Sequence, residues 1–190
     1  MKKIKILAIV GSLRKGSYNR QLAMYAKKMI GDRAEFEILD YDDVPILNED
    51  IEFPAPEAVK RVREKIKASD ALWFFTPEHN HTYPAALKNI IDWLSRPISK
   101  EEGNVIAEKL ATYSGISLSQ SGSSLAQDFL VPLLSYLNLT LMNQPRVAVP
   151  WGFQQLDGEG KLVLNETTLG FLEKQVEAFL NFICIHQPRP

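Results

Sequence analysis

The chain has a single cysteine, Cys184, which excludes an internal disulfide and leaves no thiolate set for a metal. Cys184 falls in the apolar run "FLNFICIH", where a buried packing residue is expected rather than a reactive thiol. Histidine is scarce: there are three, and His79 and His81, two residues apart, are too few ligands for a metal site, so no metal is expected. Charge of one sign is lacking too. With 22 Lys plus Arg against 23 Asp plus Glu, the net charge is −1, and nucleic acid is not expected as a partner. No apolar run approaches the ~18 residues of a membrane span, so no membrane partner is expected either. The opening "MKKIKILAIVGS" has a basic start, but its apolar run of about seven residues ends in a glycine turn. A buried first strand is expected there rather than a secretion signal, and with it a soluble, cytoplasmic protein.

What is present is ordinary for a globular protein: 190 residues, 45% hydrophobic and 24% charged. One domain over residues 1–190 is expected, long enough to bury a core without staples. "IKILAIV" (4–10), "DALWFFT" (70–76) and "KLATYSG" (109–115) read as strands, the first two nearly continuous apolar runs of the kind buried on both faces. "AEFEILD" (34–40) alternates as a second strand, and "LTLMNQPRVAVP" (139–150) supplies a fifth. Helical spacing marks 19–30, 56–69, 84–96, 125–138 and 168–185, the fourth with a helix-opposing Pro132. The proline-rich, acidic stretch 41–56 reads as a loop. Five rounds of strand then helix predict an α/β fold, a doubly wound five-stranded parallel sheet with helices on both faces. Ligands in such sheets sit beyond the carboxyl ends of the strands, which selects the loops 11–19, 76–83 and 114–124.

The first of these, within "VGSLRKGSYN", is most of a P-loop, but Ser17 and Tyr18 stand where a P-loop has Lys and then Ser or Thr. No Walker B acid is apparent, and the glycines are wrongly spaced for a GxGxxG fingerprint. Ser12, Arg14, Ser17 and Asn19 at a helix N-terminus suit a phosphate that is bound but not transferred. The plainer reading is that Ser17 or Asn19 caps the helix and Gly11 turns the chain. In the second loop, "TPEHNHTYP", Pro77 stiffens the backbone, and Glu78, His79, Asn80, His81 and Tyr83 crowd planar and polar groups onto one rim. A flat heteroaromatic ring would fit it, and so would an ordinary polar turn with Asn80 in a tight position. The third, "SGISLSQSGSS", offers small residues that let backbone approach a ligand, or else forms a flexible surface loop.

"GSLRKGSYNRQLA" and "PEHNHTYPAALKNIIDWLSR", in this order and about 65 residues apart, resemble two long motifs of the NADPH-dependent FMN reductase family. Its flavodoxin-like members include quinone, azo-dye and chromate reductases. The resemblance extends over roughly residues 4–183. It implies a flavodoxin-like fold, FMN as cofactor, and NADPH or NADH as electron donor. Ser12, Arg14, Ser17, Tyr18 and Asn19 would then hold the phosphate end. Pro77, Glu78, His79 and Asn80 would line the isoalloxazine, and Ser117, Ser119 and Gly122 would close its pyrimidine end. No side chain would act as a catalytic nucleophile or base, because hydride transfer at a flavin needs stacking rather than either. His79 would cover the ring or tune it.

The resemblance further implies a homodimer or homotetramer and a small-molecule electron acceptor: a quinone, an azo compound, free flavin or a metal ion. In "LKNIIDWLSR", Leu87, Ile90, Ile91 and Leu94 form an apolar face, while Lys88, Asn89 and Asp92 serve local hydrogen bonds or a subunit contact. This chain departs from the family patterns at His79, where a tyrosine is usual, at His81 and Thr82, and at Ala85, where glycine is common. Its third loop is rich in serine where relatives often have paired glycines. Two other classes remain open at this stage: a flavodoxin-like electron carrier, and a non-catalytic module that keeps the fold without turnover.

Overall fold

In the computed structural model, which describes residues 3–99 and 101–186, strands and helices alternate along the chain. The order is β1 (Ile4–Val10), α1 (Tyr18–Ile30), β2 (Ala34–Ile38), α2 (Glu57–Ala68), β3 (Ala71–Phe75) and α3 (Ala85–Ser95). There follow β4 (Leu110–Ile116), α4 (Ser124–Tyr136), β5 (Thr140–Leu141), β6 (Val147–Val149) and α5 (Glu166–His186). All strand pairs are parallel, in the order β2-β1-β3-β4-β5 with β6 also on β4. This is the flavodoxin-like order, and it reverses between β1 and β3. Among the described residues no helix is long and apolar enough to cross a membrane.

Successive side chains of a strand point to opposite faces, so a strand covered on both sides must be apolar throughout. On β1, Ile6, Ala8 and Val10 join Leu22, Ala26 and Phe179 beneath α1 and α5. Leu7 and Ile9 join Ile66, Leu87, Ile91 and Leu130 beneath α2, α3 and α4. On β3, Trp73 and Phe75 take the first face, and Leu72 and Phe74 the second. Each such aliphatic or aromatic side chain contributes about 1.5–3 kcal/mol on burial. Trp73 keeps its indole N–H satisfied by donating to Ser114 Oγ at 2.9 Å.

The fifth strand position differs from the expected single run over 139–150. Thr140 and Leu141 pair with Leu110 and Ala111, and Val147 to Val149 pair with Ser114 to Ile116, with a break between them. Pro145 has no N–H for the ladder, and side chains bridge the gap: Thr112 Oγ1 donates to the Met142 carbonyl and Tyr113 Oη to Asn143 Oδ1. Cys184 also departs from expectation. It is exposed, because on α5 the core-facing positions are Val176, Phe179 and Ile183, and the next residue is rotated ~100° away. Pro132 lies inside α4 without ending it, on the exposed side of the helix.

The 41–56 stretch contains only a short 3-10 turn (Glu49–Ile51), yet it is firmly tied to α3. Asn89 accepts from the Leu47 N–H and donates to the Pro45 carbonyl, which also receives the Trp93 indole N–H at 2.8 Å. Arg96 grips Glu52 with two bonds of 2.9 and 2.8 Å. The Arg96 hydrogen bonds hold the Glu52 carboxyl below its ordinary range, against the opposing effect of burial. Lys88 pairs with Asp92 one turn along the same helix.

Candidate functional site

A cavity of about 590 Å3 opens where β1, β3 and β4 end, at the point where the strand order reverses. That size is usual for a cofactor site, ~300–1,000 Å3. Its walls are Ser12, Arg14, Ser17, Tyr18 and Asn19 from the first loop, Pro77, Glu78 and His79 from the second, and Ile116 to Ser119 from the third. Ten of the twelve residues expected from sequence meet there. Asn80 and Gly122 are outside the lining, while Ile116 and Leu118 belong to it without having been anticipated. Both follow from the strand-end rule, since Ile116 is the last residue of β4.

The first loop leaves β1 with Gly11, whose N–H donates to the Phe75 carbonyl at 2.8 Å. A Cβ on Gly11 would lie 3.1–3.3 Å from Pro84, Pro77 and Leu87, so the bare backbone lets the first loop press against the second. Ser17 caps α1 by accepting from the Arg20 N–H at 3.2 Å, which leaves its hydroxyl proton to donate elsewhere. The first turn of α1 carries no acidic residue, so nothing internal neutralises the positive end of the helix. The Arg14 guanidinium stacks over the Tyr18 ring, 4.8 Å from its centroid, and is thereby held at the cavity wall.

These features suit a phosphate monoester: a cationic fork, a free hydroxyl and a helix N-terminus in one place. Asn19, in the cavity lining, also makes bonds within the fold. It is 3% exposed, its Nδ2 donates to the Ile116 carbonyl at 2.9 Å, and its Oδ1 accepts from the Ile116 N–H at 3.0 Å. Asn19 therefore clamps the first loop to the end of β4, and only its second Nδ2 hydrogen is left for a ligand.

In the second loop His79 and Thr82 exchange backbone bonds of 2.9 and 3.0 Å around Asn80 and His81, both at positive φ (51° and 63°). Two adjacent left-handed residues make this a type I′ turn. Asn80 forms that tight turn and is outside the lining. Glu78 reaches toward the third loop and the start of α4. Its carboxylate is 5% exposed and accepts from Ser121 Oγ at 2.6 Å and from the Ala126 N–H, in the first turn of α4, at 3.4 Å. The His81 Nδ1 lies 3.5 Å from Glu78 Oε1.

The third loop is braced from behind by the chain that continues β6. Ser119 and Ser117 carbonyls accept from the Trp151 and Gly152 N–H groups, each at 2.9 Å. Gly122, at φ +60°, is pressed against that same segment, and a Cβ would lie 2.5 Å from Pro150 N. Close backbone packing accounts for this glycine, so it supports the loop and does not line the cavity. In front, the hydroxyls of Ser117, Ser119 and Ser121 stand 2.8 and 2.7 Å apart and lead to Glu78. Ser121 lies just behind the lining and was not among the residues expected at the site. Ser117, Ser119 and Ser121 recur at alternate positions, but in a loop of bends and turns, so only the fold aligns their hydroxyls. Among the described residues no group of three or more His, Cys, Asp or Glu side chains could hold a metal.

Residues 4–154 match the model of a family described as NADPH-dependent FMN reductase. An NAD(P)H-dependent FMN reductase of Pseudomonas aeruginosa is 36% identical over 176 residues, 92% of each chain. A 2-hydroxy-1,4-benzoquinone reductase of a Burkholderia species is 32% identical over 86% of this chain and 88% of its own. Among solved structures, FerB of Paracoccus denitrificans, a flavoenzyme NAD(P)H:(acceptor) oxidoreductase, superimposes with a TM-score of 0.85 at 36% identity. That superposition covers 96% of this chain and 99% of the other. A phosphate-suited loop at the switch point of a 2-1-3-4-5 sheet and these relatives lead to one conclusion: the chain belongs to the NADPH-dependent FMN reductase family, and it is an FMN-dependent oxidoreductase that draws its electrons from NAD(P)H.

Proposed function

We propose that the cavity at the ends of β1, β3 and β4 holds FMN, and that the enzyme delivers electrons from NAD(P)H to quinones. The observation that carries this reading is the convergence of Arg14, Ser17 and the acid-free start of α1 at one end of a cavity walled by Pro77, Glu78 and His79. Bound FMN supplies a two-electron carrier between nicotinamide and acceptor. The chain's own residues then bind, orient and shelter. Arg14 and the Ser12 and Ser17 hydroxyls hold the phosphate, with the guanidinium already ordered by Tyr18, so little side-chain freedom is lost on binding.

Asn19 keeps the phosphate loop in register with the third loop, and the stiff Pro77–His79 segment flanks the ring. Ser117 and Ser119 border its pyrimidine end, and His79 covers the ring or tunes it. Asn80 and Gly122 act indirectly, by shaping the turns that present these groups. A quinone as acceptor is supported by the benzoquinone-reducing relative and by a site open enough for a second planar ring. Flavins and azo compounds share that planarity.

The protein works as a single domain in the cytoplasm, where NAD(P)H and FMN are at hand, and as a homodimer or homotetramer. Leu118, Trp151 and Phe153 lie exposed on the cavity's own loop and on the segment bracing it, as a subunit contact near the site would require. The test is optical. After FMN is added and the excess removed, the protein retains a flavin spectrum that NADPH bleaches and 1,4-benzoquinone restores. A colourless protein that oxidises no NAD(P)H with benzoquinone refutes the reading, and light scattering checks the oligomer.

A further inference from the structure

Reduction of a quinone by NAD(P)H consumes one proton beyond the transferred hydride: NAD(P)H + H+ + quinone gives NAD(P)+ + hydroquinone. The hydride carries both electrons, so the remaining proton comes from elsewhere. A continuous file of groups able to bring it starts at the cavity wall and runs behind it. Ser117 Oγ and Ser119 Oγ are 2.8 Å apart, Ser119 Oγ and Ser121 Oγ 2.7 Å, and Ser121 Oγ and Glu78 Oε1 2.6 Å. All three are good O–H···O distances. Beyond Glu78, His81 Nδ1 stands at 3.5 Å, and the histidine side chain is 79% exposed.

We propose that Glu78, Ser121, Ser119 and Ser117 form a proton relay that delivers the proton consumed in each turnover to the oxygen of the quinone being reduced. The proposal rests on quinone being the acceptor. In the step, the Ser117 O–H breaks as a new O–H forms on the quinone oxygen. Ser117 takes the proton of Ser119, Ser119 that of Ser121, and Ser121 that of the Glu78 carboxyl. The three hydroxyls are regenerated and Glu78 is left as a carboxylate. A proton from water, passed by His81, restores the carboxyl, so charge and atoms balance over the cycle.

The direction of the hydroxyls follows from Glu78. An ionised carboxylate only accepts, so Ser121 must donate to it, Ser119 to Ser121 and Ser117 to Ser119. The Ser117 oxygen then faces the cavity with lone pairs alone. Protonation of Glu78 permits the reverse arrangement, with Ser117 O–H turned into the cavity as a donor. The groups facing Glu78 are His81 on its own loop, Ser121 on the third loop and the Ala126 N–H at the start of α4. Arg14 and His79 share the cavity with it. A purely structural role, capping α4, needs only Oε2, whose bond to Ala126 is a long 3.4 Å. Three linked hydroxyls on the other oxygen go unexplained by that role.

Ser121 is outside the cavity lining, so Ser121→Ala cuts the file without reshaping the pocket, and Ser121→Thr keeps the hydroxyl. The readout is the rate of NADPH oxidation with 1,4-benzoquinone divided by the rate with ferricyanide, which accepts single electrons and no proton. Ser121→Ala lowers this ratio on the order of ten-fold, less than the ~10²–10⁴ of a directly positioned acid because water reaches Ser119. Ser121→Thr restores it. An unaltered ratio, or an equal fall with both acceptors, overturns the relay. Wild-type turnover with ferricyanide but not with benzoquinone overturns the quinone reading and the relay with it, a result distinct from an unaltered ratio.

Discussion

Replacing Asn19 by alanine tests how the phosphate loop is held. The wild-type amide satisfies both the N–H and the carbonyl of Ile116, at 3.0 and 2.9 Å, in a place where Asn19 is 3% exposed. Alanine removes both partners at once and fills neither role. A hydrogen bond of this kind contributes about 1 kcal/mol, but a buried group left without a partner costs ~1–3 kcal/mol, so the second figure governs. Ile116 is 2% exposed, and water gains little access to its backbone. With two groups orphaned, the loss of stability is therefore about 2–6 kcal/mol, a large share of the ~5–15 kcal/mol that holds a domain together.

Urea unfolding of flavin-free protein measures that loss, and an unaltered slope shows that the unfolded state is the same. Excess FMN adds a further check, because at 100 times Kd a ligand stabilises the native state by about 2.7 kcal/mol. At the same FMN concentration the variant gains less, because its first loop is no longer fixed to β4. A loss under about 1 kcal/mol with a full FMN increment refutes the reasoning, since the clamp would then carry little.

Arg14→Gln weakens FMN binding on the order of 10–100-fold, the value of a charge-assisted bond, and leaves riboflavin, which has no phosphate, unaffected; flavin fluorescence quenching measures both. Gly122→Ala places a Cβ 2.5 Å from Pro150 N at φ +60°, whereas Gly160→Ala, at φ +76°, meets nothing within 4 Å. The first costs about 3 kcal/mol or more and the second about 1 kcal/mol, read as the difference in thermal midpoints. The Glu52 carboxyl is held below its ordinary pKa of 4.5, chiefly by its Arg96 hydrogen bonds. Its stabilisation is present above that value and is lost as pH falls through the lowered folded-state pKa. Glu52→Gln accordingly flattens the acid end of the stability profile in urea unfolding between pH 3 and 6, and a profile parallel to wild type counts against the pair.

Much of this molecule can be read along the chain because the determining interactions are local or periodic. The nearly continuous apolar run of β1 and the unbroken one of β3 point to a sheet covered on both faces, and the strand–helix alternation to parallel pairing. The three strand-end loops follow from that topology, as does their meeting at one cavity. The turn chemistry of Asn80 and the packing need of Gly122 were visible only as residue types, because a positive φ and a 2.5 Å approach depend on which backbone lies opposite.

The same applies to Asn19, whose partner is 97 residues away, and to Cys184, whose exposure depends on how α5 is rotated against the sheet. The break between β5 and β6 likewise depends on how β4 meets the residues around Pro145. By itself the sequence determined the layers, the strand order's consequences and the phosphate-suited character of the first loop, since these rest on hydrophobic period and side-chain chemistry. Only the tertiary structure decided that Asn19 is a clamp and that the Ser121 hydroxyl donates to Glu78, 43 residues away, at 2.6 Å, because hydrogen-bond partners are chosen by distance and direction, which no spacing along the chain contains.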